Sequence, residues 1–316
     1  MDADHIPDAA DAAALAEAAT AERPIAISRF TTGAQHYVYE ARFAAGAPVV
    51  VRIARDRDAP LVASASRLSH LLRPLGVPLP AILTERLTPP LPHLILERLP
   101  GTDFGHVVHG LLAAQLTAIA AGVAKAQALV ATTPSAGRYG YAATPEAAPR
   151  ARWSEVLADS LARSRGRIAA AGLFEVDAGN ALEAALSGLR AAADAQPATP
   201  FLHDTTSKNV IIAPDGTLSG IVDVDDLCYG DPRWVIALTL ASLIASGGPQ
   251  IYTDSWLQRA GLVDDPLFRL YVALFLFDFM SEHGQIFNGN PRESSLEARA
   301  RLLGLFEAAV ARVGFT

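Results

Sequence analysis

The sequence predicts an α+β chain of two lobes, a small N-terminal sheet lobe over residues 1–100 and a larger, mainly helical lobe over 101–316. Three observations lead there. Before Leu99 the apolar residues alternate in short strand-like runs, and after Gly101 they change to long Ala- and Leu-rich stretches of helical period. A short β island, residues 201–226, then interrupts the helical pattern before it resumes.

Taken in order, an Ala-rich N-terminal helix precedes strand patterns at 24–30 and 37–43, and residues 44–48 turn the chain into the apolar run 49–53. Gly33 interrupts the first strand pair. Leu68, Leu71, Leu72 and Leu75 give 61–75 a helical spacing, and Gly76, Pro78 and Pro80 stop it. Strands at 81–86 and 93–98, joined by a proline-rich turn, complete the first lobe. In the second lobe helices are predicted near 111–131, 152–171 and 178–193, and after the island near 232–246, 251–260, 266–283 and 291–313.

Half of the 316 residues are apolar and a fifth are charged, enough for a large core. The net charge of −7 is spread along the chain, leaving no basic stripe for a phosphate backbone, so no nucleic-acid partner is expected. A single cysteine, Cys228, excludes an internal disulfide and fits a reducing compartment. The N-terminus lacks a cationic start followed by an apolar core, and the apolar run 235–245 falls short of the roughly 20 residues a bilayer requires. These features together predict a cytoplasmic protein without a membrane partner.

The stretch 201–232 carries the chemistry. Residues 209–213 and 217–222 are short strands around the turn Pro214-Asp215-Gly216, so they should pair as a hairpin and bring their polar ends to one edge. Asp204 then precedes the first strand, Asn209 begins it, and Asp223 follows the second. Mg²⁺ takes hard oxygen ligands and fills its other positions with water and substrate phosphates, which Asn209 and Asp223 suit. A carboxylate five residues before the metal-binding Asn is where a phosphoryl-transfer site keeps the group that orients and deprotonates the acceptor hydroxyl, and Asp204 has that spacing.

With these residues in place, the chain resembles the aminoglycoside phosphotransferases and related antibiotic or metabolite kinases, distant relatives of protein kinases. That family carries a His-Gly-Asp loop ending in Asn, then Gly-Ile-Asp, then Gly-Asp-Pro opening a helix. Asp204, Asn209, Gly220, Ile221, Asp223, Gly230, Asp231 and Pro232 stand at similar spacings. The resemblance implies a bilobal protein-kinase-like fold, and ATP or GTP with Mg²⁺ as cofactors. It also implies transfer of the γ-phosphate to a hydroxyl of a small molecule, an aminoglycoside or other antibiotic. A metabolite kinase acting on a sugar, amino alcohol or amino acid, and an inactive nucleotide-binding pseudokinase, are the alternatives. In this resemblance Asp204 is catalytic, Asn209 and Asp223 hold the metal, and Gly33, Arg52 and Lys208 bind nucleotide.

The departures from the pattern are specific. Arg52 stands where the phosphate-holding lysine is usual, and a forked, permanently charged guanidinium can keep that role. The helix 61–75 has no Glu to pair with it; Ser64 lies near that position, and Asp56 and Asp58 are the nearest acids. His203 directly precedes Asp204, one residue from the customary His. Asp225 reads first as an exposed turn carboxylate, with a second metal ligand or a group supporting the metal site as the alternatives, and Asp231 with Pro232 reads as a helix cap. For the acceptor, members of the family use acids of the C-terminal helices, and Asp278 and Glu282 share one face at i and i+4 beside His283.

Overall fold

The computed structural model describes residues 5–30, 36–287, 290–291 and 294–314. The chain forms two compact units, residues 1–103 with 208–226, and 104–207 with 227–316. The hairpin expected with the helical lobe thus packs in the sheet unit.

In the first unit, α1 (Ala9–Thr20) leads into β1 (Ala26–Arg29), β2 (Tyr37–Arg42) and β3 (Val49–Ile53); α2 (Ala59–Leu72), β4 (Ile82–Arg86), β5 (His93–Glu97) and β6 (Thr102–Asp103) follow. The five longer strands make an antiparallel sheet of order β1-β2-β3-β5-β4. Successive residues of a strand face opposite sides. Val49, Val51 and Ile53 of β3 accordingly pack with Ala12 and Ala16 of α1, whose small side chains let the helix lie close. The other face of β3 carries Arg52, opposite Leu94 of β5, and Leu94 packs with Val62 and Ala65 of α2. Sequence parity therefore directs Arg52 toward the α2 side of the sheet.

The second unit starts with α3 (Phe104–Val107), α4 (Ala113–Val130), β7 (Gly140–Ala142), α5 (Trp153–Ala171), α6 (Asn180–Asp194) and β8 (Thr199–Phe201). The chain returns to the first unit for β9 (Val210–Ile212) and β10 (Leu218–Ile221), the expected antiparallel hairpin, whose β9 also pairs with β6. It then re-enters the second with β11 (Leu227–Gly230), α7 (Arg233–Ser246), α8 (Ile251–Ala260), α9 (Pro266–Glu282), the short pair β12 (Ile286–Phe287) and β13 (Asn290–Pro291), and α10 (Leu296–Val313). β7, β11 and β8 form a small antiparallel sheet, with β11 in the middle.

The apolar helix α9 is the spine of this unit, with α5, α6, α7 and α10 packed around it. Asp265 caps it by accepting from the Phe268 N–H at 2.9 Å, and Pro266 at its first position needs no donor. Of the described helices, α4 alone is long and apolar enough to cross a bilayer; Leu116, Ile119, Ala120, Val123 and Val130 are buried within the unit, as in a core helix.

Candidate active site

In the first unit the hairpin closes on itself next to Asp223: the Val222 N–H donates to the Asn209 carbonyl at 2.9 Å, so Asn209 and Asp223 stand at the same end of β9 and β10. Gly220 is fixed by close approach. A Cβ there would lie 2.5 Å from the Pro78 carbonyl and 2.7 Å from the Leu99 side chain. Asp223 itself adopts a left-handed backbone, φ 62°, a conformation that L-residues hold only where their surroundings impose it. It turns a half-exposed carboxylate, 48 % accessible, out of the strand.

Arg52 meets this end of the hairpin. Its Nη2 lies 3.1 Å from Asp223 Oδ1, donates to Asp225 Oδ2 at 2.5 Å and also contacts Asp225 Oδ1. Asp225 is thus no exposed turn carboxylate; its side chain is 17 % accessible, and three elements hold it. Besides Arg52, His36 Nε2 sits 3.1 Å from its Oδ2, and the Ser64 hydroxyl of α2 donates to its backbone carbonyl at 2.5 Å.

Burial pushes the Asp225 carboxyl up, but Arg52 and His36 outweigh it and hold the group down at about 2. An ionised carboxylate only accepts, so His36 Nε2 carries the hydrogen. For Arg52 burial works against the charge, and Asp225 with Asp223 overcomes it, raising the guanidinium further above its ordinary value. Two buried nitrogens of the cluster, Arg52 Nε and His36 Nδ1, have no hydrogen-bond partner among the described residues. The acid missing from α2 is therefore supplied from beyond the hairpin, and Ser64, near the position where a Glu would stand, fastens that acid to the helix.

Asp204 belongs to the second unit, in the loop after β8. The loop is clamped from α4 by Gln127, a buried amide that accepts from the Leu202 N–H at 2.9 Å and donates to the Leu202 carbonyl at 2.8 Å and the Thr205 hydroxyl at 2.6 Å. Asp204 is exposed and accepts from the Thr206 hydroxyl at 3.2 Å. His203 packs edge-on against Tyr141 of β7, ring centroids 4.8 Å apart. Lys208, counted with the first unit, is exposed. Gly33 lies outside the described residues.

Asp231, read from its Asp-Pro context as a helix cap, lies in a buried hydrogen-bond network. It is 1 % exposed and takes hydrogen bonds from the Arg233 N–H at 3.0 Å, from the Arg233 guanidinium, and from the Tyr271 hydroxyl at 3.0 Å. Gly230 before it is forced, because a Cβ would fall 2.3 Å from the Trp153 ring.

On α9 Asp278 is a part-buried acceptor, taking the Ser164 hydroxyl of α5 at 2.6 Å, with Arg163 and Arg167 at 3.6 and 3.9 Å. Glu282 is half-buried one turn on, and His283 packs on Phe174. The structure thus gathers Arg52, Asn209, Asp223 and Asp225 in one unit, and Asp204, Asp278 and Glu282 in the other. Sequence reasoning assigned no role to His36, which follows the loop around Gly33, or to Gln127 of α4. It also underrated Asp225, whose two-residue spacing from Asp223 in a strand-end turn was the available signal.

No curated protein matches the chain. Among solved structures, a thermostable mutant of aminoglycoside phosphotransferase APH(4)-Ia in ternary complex with ADP and hygromycin B is similar at 15% identity, covering 96% of this chain and 99% of that one, with a TM-score of 0.64. A protein described as a fructosamine-3-kinase from Thermobifida fusca YX-ER1 is 20% identical over 95% of this chain and 98% of its own, TM-score 0.62. The GDP complex of a mutant aminoglycoside 2'-phosphotransferase-IIIa is 14% identical over 96% of this chain and 98% of its own, TM-score 0.64. Likeness at these identities is likeness of fold, and the fold is protein-kinase-like. The sequence itself matches the phosphotransferase enzyme family model, called APH, over residues 26–271, and the chain belongs to that family.

Proposed function

We propose that the chain is a small-molecule O-phosphotransferase that moves the γ-phosphoryl group of ATP or GTP to a hydroxyl of a small acceptor. The contact of Arg52 with Asp223 carries this reading. A fixed cation and a half-exposed carboxylate 3.1 Å apart are what a metal-bound triphosphate needs, because the cation would contact the phosphates directly and the carboxylate would hold the metal ion bound to them. The Arg52 Nε–H, which has no partner among the described residues, is a buried donor that a phosphate oxygen would satisfy.

The donor set fits Mg²⁺. Asn209 and Asp223 offer hard oxygens at one hairpin end, and no cluster of three or more His, Cys, Asp or Glu among the described residues suggests a closed all-protein site. Bound there, the ion would neutralise charge on the β- and γ-phosphates. Arg52 would hold those phosphates, with Lys208 and the backbone around Gly33 as further contacts. Asp204, on its clamped loop, would orient the acceptor and accept its proton. The acceptor oxygen bonds to the γ-phosphorus while the bond from that phosphorus to the β–γ bridging oxygen breaks, and the nucleoside diphosphate leaves.

Complexes of similar structures with ADP and hygromycin B, with GDP, and with ATP and streptomycin support a nucleotide joined by a hydroxylated acceptor. Steady-state release of ADP or GDP with Mg²⁺, across antibiotics and hydroxylated metabolites, tests the reading with Asp204→Ala as control. Acceptor-dependent release lost in that variant supports it; a protein that binds no nucleotide overturns it.

A further inference from the structure

Two arginines of α5 stand beside the α9 acid that the family resemblance assigns to the acceptor. Asp278, the acid assigned to the acceptor, is already hydrogen-bonded to Ser164 and flanked by two guanidiniums. Those guanidiniums are accessible, with the Arg163 side chain 47 % exposed and that of Arg167 35 %, against 16 % for Asp278. At 3.6 and 3.9 Å neither makes a hydrogen bond to Asp278, so the carboxylate lies beside them without consuming their donors. Arg163 spends one donor on the Ser160 hydroxyl at 3.2 Å. Arg165, between them in sequence, is turned away to Glu183 and Asn180. Glu282, the next acid along α9, is not free.

This face adjoins the catalytic loop through Tyr141. The tyrosine ring lies against His203, the residue before Asp204, and its hydroxyl, which accepts from Trp234 Nε1 at 2.8 Å, is close enough to Arg163 and Asp278 to feel both charges.

We infer that Arg163 and Arg167 bind an anionic group of the acceptor, a carboxylate or a phosphate, so that the substrates of this chain are hydroxylated acids or phosphorylated polyols and not polycations. The inference rests on the phosphotransferase reading only for its word acceptor; the anion site itself can be read without turnover. Two forked cations beside one carboxylate at 3.6 and 3.9 Å keep guanidinium donors that match the two oxygens of an acid head. A polyamine would meet like charge there.

The test titrates the protein, with and without Mg²⁺-nucleotide, with D-gluconate, D-glucose 6-phosphate, D-glucose and kanamycin, and measures nucleoside diphosphate release with each. The same series is run on Arg163→Gln/Arg167→Gln. Saturable binding of gluconate or glucose 6-phosphate, weakened about tenfold or more in the double variant with nucleotide affinity unchanged, is the expected result. Gluconate alone would assign a carboxylate site, and glucose 6-phosphate alone a phosphate site. Where turnover accompanies binding, KM for the anion rises in the variant and kcat changes little. Absence of anion binding, anion binding indifferent to the double substitution, or release with kanamycin or glucose alone overturns the inference. The last outcome leaves the phosphotransferase reading standing, whereas anion binding by a protein that binds no nucleotide removes that reading and keeps the site.

Discussion

Arg52 of β3 and Asp225, two residues past Asp223, are each other's principal charge partner: Arg52 Nη2 reaches both carboxylate oxygens of Asp225, and the guanidinium is only 6 % exposed. Removing one member of such a pair strands the other. Asp225→Ala should destabilise the protein by about 3 kcal/mol, the low end for orphaning a buried partner, because Asp223 still offers a carboxylate to Arg52. Arg52→Met/Asp225→Leu removes both charges and should lose less than the sum of its single variants, by about 1–3 kcal/mol. Urea unfolding of the four proteins measures this coupling, and additive losses would show that the pair contributes no mutual stabilisation.

The same pair predicts an acid limb of stability. The Asp225 carboxyl is held at about 2 against an ordinary 3.8. A carboxylate whose pKa is depressed by folding contributes stability that is fully present above 3.8 and lost as pH falls from there toward 2. The shift corresponds to about 2 kcal/mol. Unfolding free energy measured between pH 5 and pH 3 should therefore fall less steeply in Asp225→Asn than in the parent, although the variant is less stable at neutral pH. Parallel curves would assign the acid limb to other carboxylates.

Asp204 and Asp223 should fail in different ways. Asp204→Ala should lower kcat by about 10²- to 10⁴-fold, the range for loss of a positioned general base, with nucleotide affinity kept. Asp223→Ala should weaken nucleotide binding about tenfold or more in Mg²⁺ but not in EDTA, where loss of a negative charge beside the phosphates is neutral or favourable. Nucleotide titrations in both conditions separate the roles. Equal losses with and without Mg²⁺ would remove Asp223 from the metal site.

What could be read from the sequence follows the range of the interactions involved. Period and punctuation are local, so 251–260 and 49–53 match α8 and β3 to the residue, and Pro266 with Asp265 marks the start of α9. Elements of two to four residues, β6, β7, β11 and α3, escaped because so few residues carry no period. The region 291–313 read as one helix begins only at Leu296, preceded by the pair β12 and β13.

At the candidate site the hairpin residues were visible through their spacing, whereas their partners were not. Arg52 and Asp225 are 173 residues apart and His36 and Asp225 are 189 apart, and only a tertiary fold selects Asp225 over the nearer Asp56 and Asp58. Gln127, an isolated polar residue on an Ala-rich helix, shows in sequence nothing of its 75-residue reach to Leu202.

Asp231 tests whether a motif residue can matter for stability alone. Its carboxylate is 1 % exposed and joins Arg233 to the Tyr271 hydroxyl, which in turn accepts from Trp153 Nε1 at 2.8 Å; Arg233 continues to Asp265, the cap of α9, at 2.7 Å. Asp231→Ala leaves a guanidinium, itself 5 % exposed, with Asp265 as its remaining partner and supplies no compensating acceptor. A loss of about 3–5 kcal/mol follows from breaking a buried pair in this way. Asp231→Asn keeps the shape and one acceptor oxygen and should cost less, because Arg233 and Tyr271 retain a partner. Neither variant should change KM for nucleotide at a temperature where the protein stays folded. A large KM effect at full folding, measured by initial rates below the unfolding transition, would move Asp231 from the scaffold into the site.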